Sequence, residues 1–260
     1  MKMSSEMHWY YNFITGTYSA VNNAEDIYKG AAPVRCNSTR TNQKIEGLLA
    51  VVFPVGTAQQ VPETAAQLRE YCNLYGKNFP FVLGYFKNCV GQFSKTVAKV
   101  ILYSLKKQTD STCKPGKISR QARELMAAGG CANKARDGIQ GCNKKLIDSL
   151  LGVKSAELKD RIYMTCWYIL VHSNAYRICL RDTTEDTPGC TAHTVDWAEK
   201  FVLKVMGSSI SLVCGEYFEE SDKCRKLVDK TPKPDLPKNY VKPKNFILPM
   251  LELMETFPDI

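Results

Sequence analysis

Eleven cysteines are the residues of this 260-residue chain whose chemistry is most legible: Cys36, Cys72, Cys89, Cys113, Cys131, Cys142, Cys166, Cys179, Cys190, Cys214 and Cys224. No two lie closer than ten positions. Structural zinc sites place paired ligands about two to four residues apart, and thioredoxin-type redox sites need Cys-x-x-Cys. Neither spacing occurs, so no metal ligands are expected. The cysteines then read either as a disulfide framework made in an oxidising compartment or as a set of buried thiols, and their number and even spread favour the framework. Asn37-Ser38-Thr39, beside Cys36, is an N-glycosylation sequon and makes Asn37 the glycosylation candidate of a secreted protein.

The chain has three histidines. His8 lies in an aperiodic N-terminus, and His172 follows the apolar run Tyr168-Ile169-Leu170-Val171 as a helix-end residue would. His193 lies between Cys190 and Asp196, where a Cys–His nucleophile and base could be drawn. A cysteine inside a disulfide framework is not available for that role. HExxH, GxSxG, a Walker loop and a dinucleotide fingerprint are all missing. The expectation is therefore a protein with no catalytic residues and no cofactor, and not an enzyme.

The elements that must hold these cysteines follow from their spacing. Cys131, Cys142 and Cys166 stand 11 and 24 residues apart, and Cys179, Cys190 and Cys214 repeat the same steps 48 positions later. Cys89 to Cys113 is a third step of 24. Each such stretch carries apolar residues every three or four positions, as in Val97-Val100-Ile101-Leu105, Leu146-Ile147-Leu150-Leu151 and Val195-Ala198-Phe201-Val202-Val205, the mark of one buried helical face. Pro62-Glu63 reads as a helix start and Gly76 as its stop, and Ser119 opens a helix that Gly129-Gly130 closes. Ser155 and Thr194 read as caps. Leu48 to Phe53 is either a short strand or a buried helical turn. The expected fold is all-α, a disulfide-stapled array of helix pairs with internal repeats of roughly 50 residues.

Three regions follow: an irregular N-terminal segment, residues 1–60, rich in Asn, Thr, Tyr and Gly; a helical disulfide-rich domain, 61–228; and a proline-rich tail, 229–260. Prolines at 232, 234, 237, 243, 249 and 258 exclude a long helix there, so the tail is expected to run extended over the surface, anchored by Phe246-Ile247-Leu248 and Met250-Leu251. A composition of 44% hydrophobic and 23% charged residues suits a globular core and excludes a disordered chain. No apolar run reaches the about 18 residues of a membrane span. No apolar stretch of signal-peptide length opens the chain, which is therefore read as the mature form of a secreted protein.

The net charge of +9 belongs to one segment: Lys87 to Lys159 holds fifteen Lys and Arg against five Asp and Glu. Such an excess could meet an acidic polymer or surface, or could simply solvate helix faces; the scatter of the lysines favours the second. No nucleic-acid-binding signature is present. Trp167 and Trp197, with Phe201, lie inside the cysteine repeats, where they would fill a core or line an apolar cavity between helices.

Glu124-Leu125-Met126-Ala127-Ala128-Gly129-Gly130-Cys131, Cys142 eleven positions on, the order Cys166, Cys179, Cys190, Cys214, and Tyr71-Cys72 followed by Cys89 together resemble the insect 27 kDa hemolymph glycoprotein family. The likeness covers roughly residues 68–228. It implies a secreted, extracellular, helical, disulfide-bonded protein of an arthropod body fluid, and it brings no catalytic residues and no assigned activity. The expected function is a non-enzymatic binding or carrier protein, holding a lipid-like or other apolar small molecule. The alternative is a structural or interaction protein of matrix, venom or defence type, using its basic surface on anionic partners. Ten cysteines, Cys72 to Cys224, are expected to form five bridges; Cys36 is expected free or bonded to another chain, unless the pairing draws it in and strands a different thiol.

Overall fold

The computed structural model describes residues 27–36, 39–54, 56–116, 118–170, 175–214, 226–227, 229–236 and 240–257. Among them are nine α-helices and no strand: α1 Thr39–Val52, α2 Ala65–Asn88, α3 Gln92–Thr112, α4 Arg120–Lys134, α5 Arg136–Lys154, α6 Leu158–Leu170, α7 Ala175–Glu185, α8 Ala192–Cys214 and α9 Ile247–Met254. The fold is all-α, as expected. None of these helices is long and apolar enough to cross a membrane.

Local chemistry explains where the helices begin. Thr64 Oγ1 accepts from the Gln67 amide at 3.3 Å while Gln67 Oε1 accepts from the Thr64 amide at 3.0 Å, a capping box that opens α2. Ser119 Oγ accepts from the Ala122 amide at 3.0 Å to open α4. At α8 the cap is Thr191: its hydroxyl accepts from the Thr194 amide at 3.2 Å, and Thr194 Oγ1 accepts from the Thr191 amide at 2.9 Å. Thr194 is thus the reciprocal partner of the cap. Ser155 follows the last turn of α5.

The helix ends depart further from expectation. Helix α2 passes through Gly76 and contains Pro80, whose ring nitrogen offers no N–H to the Gly76 carbonyl one turn back. Helix α4 passes through Gly129 and Gly130 to Lys134. None of the three glycines has a positive φ, so none acts as a left-handed stop.

Five disulfides staple the bundle: Cys36–Cys89, Cys72–Cys113, Cys131–Cys190, Cys142–Cys179 and Cys166–Cys214. The two matching triplets bond to each other. Cys131 takes Cys190 and Cys142 takes Cys179, so the first cysteine of one 11-residue step meets the second of the other. Equal steps on two stretches of opposite direction produce two rungs in this way. The recurrence in spacing therefore marks pairing between the segments.

Cys36 corrects the expectation that it stands free or joins another chain. Residues 27–36 run alongside α2: the Ala32 amide donates to the Pro80 carbonyl at 2.9 Å, and the Ala32 carbonyl crosses over Gly84, where a Cβ would meet its oxygen at 2.0 Å. That crossing delivers Cys36 to Cys89 just after the helix. The bonds use ten of the eleven cysteines; Cys224 lies outside the described residues, as do Asn37, His8 and His172.

Both ends of the described chain enter the core. Ile45, Leu49 and Val52 of α1 and the following Phe53 are buried, so Leu48 to Phe53 ends a helix, and 1–60 is not irregular throughout. The C-terminal segment is likewise no surface tail: Phe246, Ile247, Met250, Leu251, Leu253 and Met254 are buried among α3 and α5, with Pro249 inside the first turn of α9. Pro249 fits there because first-turn amides have no intrahelical acceptor to lose. Asn143 of α5 ties the segment down, its Nδ2 donating to the carbonyls of Gly56 and Lys244, each at 2.8 Å. Ser94 Oγ donates to the Leu251 carbonyl at 2.8 Å, and Glu255 Oε1 accepts from the Gly91 amide at 2.8 Å.

Candidate ligand cavity

Helices α3, α4, α5, α7 and α8, with the 54–62 loop laid across them, enclose a partly open cavity of about 180 Å³. Its wall is almost wholly apolar. The floor is made by the buried Val52, Phe53, Leu105, Ile139, Leu146 and Phe246, and Trp197, Phe201, Val202 and Met206 of α8 form one side. The helical period of α8 produces that side, because residues 195, 198, 202 and 206 recur at steps of three and four and face one way. Trp197 stacks on Phe201 with ring centroids 5.4 Å apart and planes 20° from parallel. Trp197 and Phe201 thus lie at the cavity; the side chain of Trp167, on α6, lies outside the described residues.

Two disulfides and two glycines set the width. Cys131 lines the cavity and bonds to Cys190, fixing α4 to the turn before α8. Cys142–Cys179 fixes α5 to α7, and these helices approach closely because Gly138 faces Thr183, whose Cγ2 a Cβ would meet at 2.2 Å. On the opposite wall Gly129 faces the Pro62 carbonyl in the same way, which seats the loop. Asn133 fastens that loop, its Nδ2 donating to the Val61 carbonyl at 2.8 Å and its Oδ1 accepting from the Val61 amide at 3.0 Å.

The polar groups at the cavity are few. Tyr71 donates its hydroxyl to the Val52 carbonyl at 3.4 Å, and burial pushes its pKa up to about 12. Arg181 is paired with Glu199, with Glu185 at 3.7 Å and with Asp196 at 3.9 Å, and the Glu199 carboxylate holds the guanidinium firmly charged. Arg136, at the start of α5, has a buried Nε with no hydrogen-bond partner among the described residues, and its Nη2 donates only weakly, to Asn133 Oδ1 at 3.4 Å.

The Cys–His pair imagined near residue 193 has no thiol, since Cys190 is bonded to Cys131; His193 is exposed, its Nδ1 3.6 Å from Glu124 Oε2. The basic residues of 87–159 are spread along α2 to α6, with Lys87, Lys107, Arg120, Lys144 and Lys159 all exposed. No grouping of three or more Cys, His, Asp or Glu able to hold a metal ion occurs among the described residues. Sequence reasoning missed Arg136 and the 54–62 loop; the only signal for the loop was its run of Pro54, Gly56 and Pro62.

No family model, no curated protein and no solved structure matches this chain.

Proposed function

We propose that this chain is a non-enzymatic carrier that holds a small apolar molecule between its stapled helices, in a secreted, extracellular setting. The apolar cavity bounded by Trp197, Phe201 and the 54–62 loop carries this reading. A void lined by hydrocarbon stays dry, its lining atoms lack contacts on one side, and a guest of matching shape recovers them. An engineered apolar cavity of about 150 Å³ takes up benzene, so about 180 Å³ suits a guest of roughly that size or somewhat larger. Five disulfides support an oxidising compartment. The resemblance to arthropod hemolymph glycoproteins supports a body fluid as its place. The test is titration with the apolar dye N-phenyl-1-naphthylamine, together with native mass spectrometry. The carrier reading expects saturable dye fluorescence and a small molecule released on denaturation. It also expects Ala198→Trp, which fills the cavity from α8, to abolish dye uptake while the helical circular dichroism stays the same. No dye uptake by the folded wild type sinks the reading.

A further inference from the structure

We infer that the guest is an amphipathic acid, an apolar body with one carboxylate, and that Arg136 is the anchor for its head group. This rests on the carrier reading above and specifies its ligand. Three observations combine. The cavity wall is apolar, so most of the guest must be hydrocarbon or aromatic. Arg136 lines that wall with a buried Nε that no described group satisfies, and no described carboxylate pairs with its guanidinium. Arg181, the other arginine at the cavity, is already compensated by Glu199, Glu185 and Asp196.

Arg136 is partly buried as a residue, but its Nε is cut off from water, and a desolvated, unused donor is costly to fold. A planar carboxylate is the acceptor that matches the guanidinium fork, and it forms hydrogen bonds stronger than a neutral oxygen does. Within the cavity the rest of such a molecule would lie against Phe201, Leu105 and Ile139. The volume suits an apolar body of about the size of an eight-carbon acyl chain or a single substituted ring.

The experiment compares octanoate with octan-1-ol, which share a tail and differ in the charged head, by dye displacement and by calorimetry at neutral pH. The expected result is that octanoate binds wild-type protein about tenfold or more tightly than octanol, and that Arg136→Gln removes this preference while leaving octanol affinity within about twofold. Equal affinity of the two ligands for wild type, or an unchanged preference in Arg136→Gln, overturns the anchor while the carrier reading stands. Failure of both ligands and of the dye to bind overturns the carrier reading and the anchor with it. Should Arg136→Gln not fold, Arg136→Lys supplies the second variant: a point charge in place of the fork is expected to weaken octanoate by several-fold and octanol hardly at all. Identical octanoate affinity in wild type and Arg136→Lys counts against the anchor.

Discussion

Gly129 of α4 lies directly under the carbonyl of Pro62: a Cβ on this glycine would stand 2.2 Å from the carbonyl oxygen and 3.0 Å from its carbon. The neighbouring Gly130 has nothing nearer than Glu63 Oε2, at 3.9 Å. Two adjacent glycines in one helix therefore do opposite things. Gly129 admits the loop that roofs the cavity, and Gly130 only weakens the helix.

Substituting each by alanine should separate these roles. Gly129→Ala is expected to lower unfolding free energy by about 1–3 kcal/mol, because the loop backbone must move. Gly130→Ala is expected to raise it by up to about 1 kcal/mol, since only helix propensity changes. Urea unfolding of both variants checks this, and the same sign for both would refute the close approach at Pro62.

The disulfide map is equally specific. Proteolysis without reduction should yield five cross-linked pairs, Cys36–Cys89 among them. Replacing both Cys142 and Cys179 by alanine opens a loop of 37 residues. By chain entropy that costs about 4 kcal/mol. A Cys36 thiol that reacts in the native protein would overturn the pairing.

Leu253→Ala tests whether the C-terminal segment belongs to the core. Leu253 is fully buried, so its truncation is expected to cost about 2–5 kcal/mol. Val241→Ala, at a residue 83% exposed in the same segment, should change stability by less than about 0.5 kcal/mol. Equal, small effects at both positions would return the segment to the surface.

Alkaline pH should weaken the fold. Burial pushes the Tyr71 hydroxyl up to about 12 from 10, and burial raises Tyr28 and Tyr75 as well. Below pH 10 both folded and unfolded chains keep these protons, and the contribution is fully present. Above it the unfolded chain releases protons that the folded chain retains, so stability falls as pH rises towards the folded values. Melting temperature followed from about pH 8 to about pH 12 should hold steady and then drop above about pH 10. A flat profile through about pH 11.5 would contradict the burial of these hydroxyls.

The helices and the disulfide framework were legible in the sequence because both show in residue pattern and spacing. Leu146, Ile147, Leu150 and Leu151 recur at helical spacing and are all buried. Ser119 opens the helix its side chain caps. Eleven well-spread cysteines without a close pair announced disulfides. Gly76 and Gly129-Gly130 misread as stops because a glycine looks the same in sequence whether it ends a helix, lies within one with nothing against it, as Gly76 does, or admits a neighbour. At Gly129 only the carbonyl of Pro62, 67 positions away, shows which it is. The same holds for Cys36, whose partner depends on Ala32 crossing Gly84, and for Arg136, whose Nε is buried with no partner among the described residues. Periodicity and capping are local, so the chain alone determined an all-α, cysteine-bonded protein. Which sulfurs meet, that both ends of the described chain enter the core and that an arginine with an unused buried Nε lines a cavity are long-range packing outcomes, and only the tertiary structure decided them.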